Sequence, residues 1–182
     1  DGDGAARVAR AMLATRATLR PASAADAEAV WRWRRAGVPA RFLRSGEETP
    51  LDAHRAWFAR ALEDPRRRLL IAEDAEGALG HLRLDRLPDR PETEAVSVAL
   101  APERRGGGRA AAALAAAEAD AAARGVRRLL AEIHAENAAS LHAFARAGYA
   151  VVAEDPPFRT LALDLAPAGP EKGATPQSGG DA

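Results

Sequence analysis

Three arginines stand around three consecutive glycines in Arg104-Arg105-Gly106-Gly107-Gly108-Arg109. Glycines let a backbone approach a ligand closely and adopt positive φ. Strong helix formers follow from Ala110 to Ala123. A loop that opens a helix presents unpaired N–H groups and the positive end of the helix dipole, which favours an anion. The chemistry expected is a phosphate cradle; the competing reading is a flexible linker before a surface helix. No Gly-Lys-Ser/Thr follows the glycines, so this is not a nucleotide P-loop. The spaced glycines and downstream acid of a dinucleotide site are missing too.

Candidate proton carriers lie on both sides of the loop. Glu94 shares a strand face with Val96 and Val98, and a carboxylate beside an apolar cleft can be poised for proton removal. Asp85, near the end of the partner strand, and His54 are the alternatives, and a solvated acid is an equal reading of Glu94. His54 lies on an apolar helix stripe, which fits a core histidine at least as well. His142 can protonate a leaving group as imidazolium, or be a plain surface residue. His81 and His134 have no spacing that suggests a metal site, and none is expected. The chain has no cysteine, which excludes disulfides, thiolate metal sites and a thiol nucleophile.

These residues need elements to hold them. Ala17 to Arg20 reads as a strand, ended by Pro21, and Ser23 to Asp26 is a capping box opening a helix with Val30 and Trp31. Thr49 and Pro50 read as cap and first residue of a second helix, with Leu51, His54, Phe58 and Leu62 as its apolar stripe. Strands follow at Leu69 to Glu73, Ala78 to Asp85 and Glu94 to Leu100, where Val96, Val98 and Leu100 alternate. Pro102 stops the last of these. After the alanine-rich helix come a strand from Arg128 to His134, a helix capped by Asn137 and stopped at Gly148, and a closing hairpin over Tyr149 to Ala153 and Phe158 to Leu165. Interleaved strands and helices make the class α/β.

The chain has 182 residues with balanced charge, so bulk charge argues for neither nucleic acid nor membrane as a partner. No membrane span or leader pattern is visible, and a cytoplasmic location is expected. Three regions are expected: an N-terminal extension or end of a preceding domain over 1–16, one domain over 17–165, and a disordered tail over 166–182. Apart from Lys172 every basic residue is arginine.

Arg105 to Ala110 resembles the Gln/Arg-x-x-Gly-x-Gly/Ala segment of the GCN5-related N-acetyltransferases (GNAT). A second segment, Glu136-Asn137-x-x-Ser140-Leu141-His142-x-Phe144-x-x-x-Gly148-Tyr149, resembles that family's Asn-x-x-(Ala/Ser)-x-x-Leu-Tyr-x-x-x-Gly-Phe, with His142 in the place of the Tyr. The resemblance covers roughly 17–165. It implies a mixed, mostly antiparallel central sheet, splayed between its two middle strands and flanked by helices. It also implies acetyl-CoA as co-substrate and direct transfer to an amine. Arg104, Arg105, Gly106, Gly107, Gly108, Arg109 and Ala110 would hold the pyrophosphate. Val98, Ala99 and Leu100 would face the pantetheine arm, with the N–H of Val98 or Ala99 as oxyanion donor. Asn137 and Ser140 would reach the cofactor, Glu94 would be the base and His142 the acid.

The segments Trp31 to Arg34, His54 to Phe58 and Leu69 to Glu73 resemble acetyltransferases of a UDP-linked 4-amino sugar in pseudaminic acid synthesis, with Arg35 in the place of an Asn. That resemblance implies a nucleotide-linked amino sugar as acceptor, with Trp33, His54, Trp57 and Asp85 as its contacts and Arg32, Arg34 or Arg41 near a diphosphate. Asp1 to Val8 resembles the end of a nucleotide-sugar hydrolase, which implies a fused or paired partner of that kind. The alternatives are an acetyltransferase of protein N-termini and a non-catalytic acyl-CoA-binding domain.

Overall fold

The computed structural model describes residues 16–37, 39–44 and 46–166. The expected N-terminal extension and C-terminal tail, apart from their residues 16 and 166, lie outside the described residues. Strands β1 (Thr18–Pro21), β2 (Arg67–Asp74), β3 (Gly77–Leu87), β4 (Arg90–Leu100), β5 (Arg128–His134), β6 (Ala150–Asp155) and β7 (Phe158–Asp164) form one sheet in the order β1-β2-β3-β4-β5-β7-β6. Helices α1 (Ala27–Gly37) and α2 (Leu51–Glu63) precede β2. Helix α3 (Arg109–Ala123) links β4 to β5, and α4 (Ala138–Arg146) links β5 to β6.

Every neighbouring pair is antiparallel except β4 and β5, which run parallel. Those two are joined only at Thr93↔Arg128, Glu94↔Leu129 and Ala95↔Leu130. Beyond Ala95 and Leu130 they separate. The backbone groups facing across the resulting wedge are left without ladder partners, so a ligand or water must satisfy them. This is the expected splay.

Both faces of the sheet are covered. Leu70, Leu82, Leu84, Val96 and Leu129 pack against Ala113, Leu114 and Ala117 of α3. Alanines let that helix lie close to the sheet, and Ala113, Ala117 and Ala121 are fully buried. On the other face Leu69 and Ile71 pack against Val30 of α1 and Phe58 and Ala61 of α2. At Gly80 the strands β3 and β4 approach so closely that a Cβ would lie 2.4 Å from the Ala99 carbonyl oxygen.

Local signals mostly hold. The Asp26 carboxylate accepts from the Ser23 N–H at 2.8 Å, and the Asn137 side chain accepts from the Ser140 N–H at 3.2 Å. One boundary moves: Pro50 takes the cap position of α2, without a side-chain cap, and the helix begins at Leu51. The Thr49 carbonyl instead accepts from Trp31 Nε1 at 2.8 Å. The β3–β4 hairpin is longer than its apolar pattern: β4 begins at Arg90, which pairs with Leu87 beyond a register shift.

Candidate active site

The glycine loop sits between a single 3-10 turn (Pro102–Arg104) and α3. Gly106, Gly107 and Gly108 have φ of 84°, 59° and 78°. Three successive left-handed residues would strain any side chain with a Cβ, and they turn the chain into α3, where the Arg109 N–H is bonded to the Gly106 carbonyl at 3.2 Å and the next amides have no intrahelical partner. The arginines divide the work. Arg104 pairs with Asp74 at 2.5 Å and Arg109 approaches Glu76 at 3.7 Å, so these two brace the loop against the β2–β3 turn. Arg105 has no acidic partner among the described residues and extends toward Gly37 at the end of α1.

The wedge between β4 and β5 is a cleft of about 150 Å³. Val96 to Ala99 line one side and Ala131 to His134 the other, with Ser140 and Phe144 from α4, Asn137 at its cap, Arg34 from α1 and Leu43 from the α1–α2 connection. Val98, Ala99, Asn137 and Ser140 therefore stand together at one cleft. Leu100 packs on the α3-side core.

A second cavity, of about 290 Å³, is lined by Trp31, Arg34, Arg35, Leu43, Glu48, Thr49, His54, Trp57 and Arg83. Arg34 and Leu43 border both spaces. His54 is 4% exposed and His81, which lines the cleft, 2%. The Nε2 atom of each is buried without a hydrogen-bond partner. Burial, with Arg34 and Arg83 nearby, pushes His81 down to about 3; burial and Arg34 also lower His54. Both are neutral at ordinary pH.

Several of the expected site residues stand away from the cleft. Glu94 does share a face with Val96 and Val98, but that face is the one α3 covers. It is 2% exposed and held by Arg124 at 2.6 and 2.8 Å. The second cavity lies on the opposite face, where Arg83 pairs with Ser97 and His81 with Ala99 in register. Glu94 braces the end of α3. His142 is exposed and does not line the cleft; Phe144 of the same helix does, and carries no proton. Trp33 packs against the α1–α2 core, and Trp31 takes its place in the cavity wall. Asp85 is spanned by Arg67 at 2.9 Å and Arg83 at 2.8 Å, although the Arg83 N–H is not aimed at its oxygen.

Two cleft residues are ones that the sequence does not single out. Glu132 is the carboxylate among the described cleft residues, held by Arg44 at 2.6 Å. His134 accepts from the Glu136 N–H through Nδ1 at 3.2 Å, which leaves its proton on Nε2, and it stacks on Phe42 at 4.9 Å. Alternation along β5 puts Glu132 and His134 on one face, but nothing in the sequence says that the strand leaves its neighbour at Leu130. Arg44 also pairs with Asp155 at 3.2 Å and lies over Phe158 at 4.5 Å. The α1–α2 connection is thereby strapped across β5, which positions Leu43 between the two cavities.

A family model described as "Acetyltransferase (GNAT) domain" matches residues 16–150, more than half of the chain. The chain belongs to the GNAT acetyltransferase family. Solved structures agree with the fold of this GNAT protein. A protein assigned as a phosphinothricin N-acetyltransferase is 26% identical, with a TM-score of 0.66 over 82% of this chain and 99% of the other. An N-acetyltransferase from Staphylococcus aureus Mu50 is 22% identical, with a TM-score of 0.64 over 82% and 99%. The Vibrio cholerae spermidine N-acetyltransferase, solved with CoA and spermine, is 16% identical, with a TM-score of 0.70 over 82% and 96%. No curated protein matches the sequence. The chain is an N-acetyltransferase that takes its acetyl group from acetyl-CoA. The glycine loop and the wedge fit that co-substrate, since one offers amides to phosphate and the other unpaired strand edges to an amide-bearing arm. Among the described residues no cluster of three or more His, Asp or Glu could hold a metal, and no helix is long and apolar enough to cross a membrane.

Proposed function

We propose that this GNAT enzyme acetylates the primary amine of a small acceptor seated in the Trp31–Trp57 cavity. The observation that carries the reading is the shared border: Arg34 and Leu43 line both the acceptor cavity and the wedge, so an amine in one meets a thioester in the other. Arg104 to Ala110 hold the pyrophosphate, the N–H of Val98 or Ala99 receives the developing oxyanion, and Asn137 and Ser140 face the cofactor arm.

The acceptor class that the sequence points to is a UDP-linked 4-amino sugar, with Trp31 and Trp57 as walls for its rings. A second reading is favoured by the arginines of the cavity and by the relative named for phosphinothricin: an amino acid with a further acid group. Mass spectrometry after incubation with acetyl-CoA decides between them. The panel contains a UDP-linked 4-amino sugar, phosphinothricin, spermidine and a peptide with a free N-terminus. Acetylation of either of the first two is expected; turnover confined to spermidine or the peptide would remove the small acidic acceptor.

Glu132 takes the role of base that Glu94 does not fill, because it is the carboxylate at the wedge. Two variants separate them. Glu94→Gln breaks a buried ion pair and should cost about 3 kcal/mol of stability while leaving kcat of the folded enzyme nearly unchanged. Glu132→Gln should lower kcat by roughly 100-fold with only a small fall in Tm, because the pair it loosens is exposed and Asp155 and Phe158 still hold Arg44. The opposite pattern in kcat and thermal melts would restore Glu94 as the base.

A further inference from the structure

The acceptor cavity carries an excess of positive charge that the protein does not neutralise. Arg35 is paired with Glu48 at 2.6 Å. Arg67 and Arg83 share the single carboxylate of Asp85. Arg34 has no hydrogen bond or ion pair among the described residues. Four arginines thus stand against two carboxylates in and around the cavity. Among the other ionisable groups around Arg34, burial disfavours the charged forms of His54 and His81, and Glu132 across the cleft is already paired with Arg44.

Arg34 is also half-buried, which costs a cation its hydration. Burial and the neighbouring Arg83 both push its pKa down, and Asp85 offsets this only in part. Three guanidiniums converge on one indole: Arg34, Arg67 and Arg83 lie 5.9, 5.7 and 5.8 Å from the Trp57 ring centre. Ring faces attract cations, and Trp57 holds these three around one ring without neutralising them. A desolvated cation lacking a counterion is costly for a protein to keep. An arrangement of this kind is stable when an anion arrives with the ligand.

We infer that Arg34, backed by Arg83 against Trp57, is a seat for an acidic group on the acceptor, a carboxylate or a phosphoryl group. Guanidinium binds either in a bidentate way. The inference rests on the acceptor occupying this cavity. It adds that the enzyme selects amines bearing an acid and rejects polycationic amines, which would bring positive charge to a site already in excess.

The test does not depend on the identity of the natural acceptor. With CoA saturating, inorganic phosphate is titrated against tryptophan fluorescence at ionic strength fixed with chloride. Two of the chain's three tryptophans, Trp31 and Trp57, line this cavity. A saturable change is expected in the wild type and should weaken at least about 10-fold in Arg34→Gln. Matched acceptors then identify the acid. One arm pairs an amino acid with its amide, the other a UDP-linked amino sugar with the free amino sugar. The acid-bearing member should have the higher kcat/KM by about 100-fold, and Arg34→Gln should erase the ratio; Arg83→Gln, which borders the cavity but not the wedge, should reduce it while sparing the acetyl-CoA KM. If Arg34→Gln fails to fold by circular dichroism, Arg83→Gln carries the same test. No phosphate response in the wild type, with neutral members used equally well, overturns the anion seat. If Trp57→Ala still raises the acceptor KM in that case, the cavity assignment stands alone. A preference for acids that survives both arginine variants would instead place the acceptor elsewhere.

Discussion

A Gly108→Val variant is expected to lose CoA binding by at least about 100-fold while remaining folded. Gly108 stands immediately before α3 with φ of 78°. A β-branched residue is strongly disfavoured there. Its Cβ would also stand where a phosphate must approach the backbone, at the point where the exposed amides of the first turn converge. The loop is exposed and α3 is anchored elsewhere by Ala113, Leu114 and Ala117, so the damage should stay local. Calorimetric titration with CoA, alongside far-ultraviolet circular dichroism, measures both parts. Wild-type affinity in a folded variant would remove the phosphate role from this loop.

The largest expected loss of stability comes from Gly80→Val. A Cβ at Gly80 would lie 2.4 Å from the Ala99 carbonyl oxygen and 2.7 Å from the Leu100 Cα. Both are backbone atoms of β4, so no side chain can swing aside. The two strands would have to part at the centre of the sheet, at a cost of about 3 kcal/mol or more. The same displacement moves Ala99, which lines the wedge, so surviving protein should also bind CoA less well. Urea unfolding gives the first quantity and CoA titration the second. An unfolding midpoint equal to that of the wild type would show that β3 and β4 are less closely apposed than the structure has them.

The fold is legible in the sequence because its signals are local. Alternation at Val96, Val98 and Leu100, the cap at Asn137 and the turn glycines depend on a few neighbours in the chain, and the strand order follows the family pattern that two motifs announce. The placement of Val98, Ala99, Asn137 and Ser140 at one cleft is legible for the same reason. The proton carriers are not. Glu94 does share a face with Val96 and Val98, as the alternation says, but which layer covers that face depends on α3 packing there, a contact between distant segments. Trp31 and Trp33 are two residues apart on a helix and so point in different directions; only the position of α2 decides which one meets the cavity. Phe144 rather than His142 enters the cleft because α4 turns its buried side toward the sheet. Glu132 and His134 become visible only with the divergence of β4 from β5 after Leu130.

The cations around the acceptor cavity are all guanidiniums. An enzyme that brings an activated thioester beside nucleophiles risks acylating itself. A lysine in place of Arg34 would be half-buried among other cations, conditions that favour the free amine, and it would border the thioester's own cleft. Guanidinium holds its proton above about pH 12 and is a poor nucleophile even when partly desolvated. The arginine walls can therefore carry charge beside the acyl donor without competing for it.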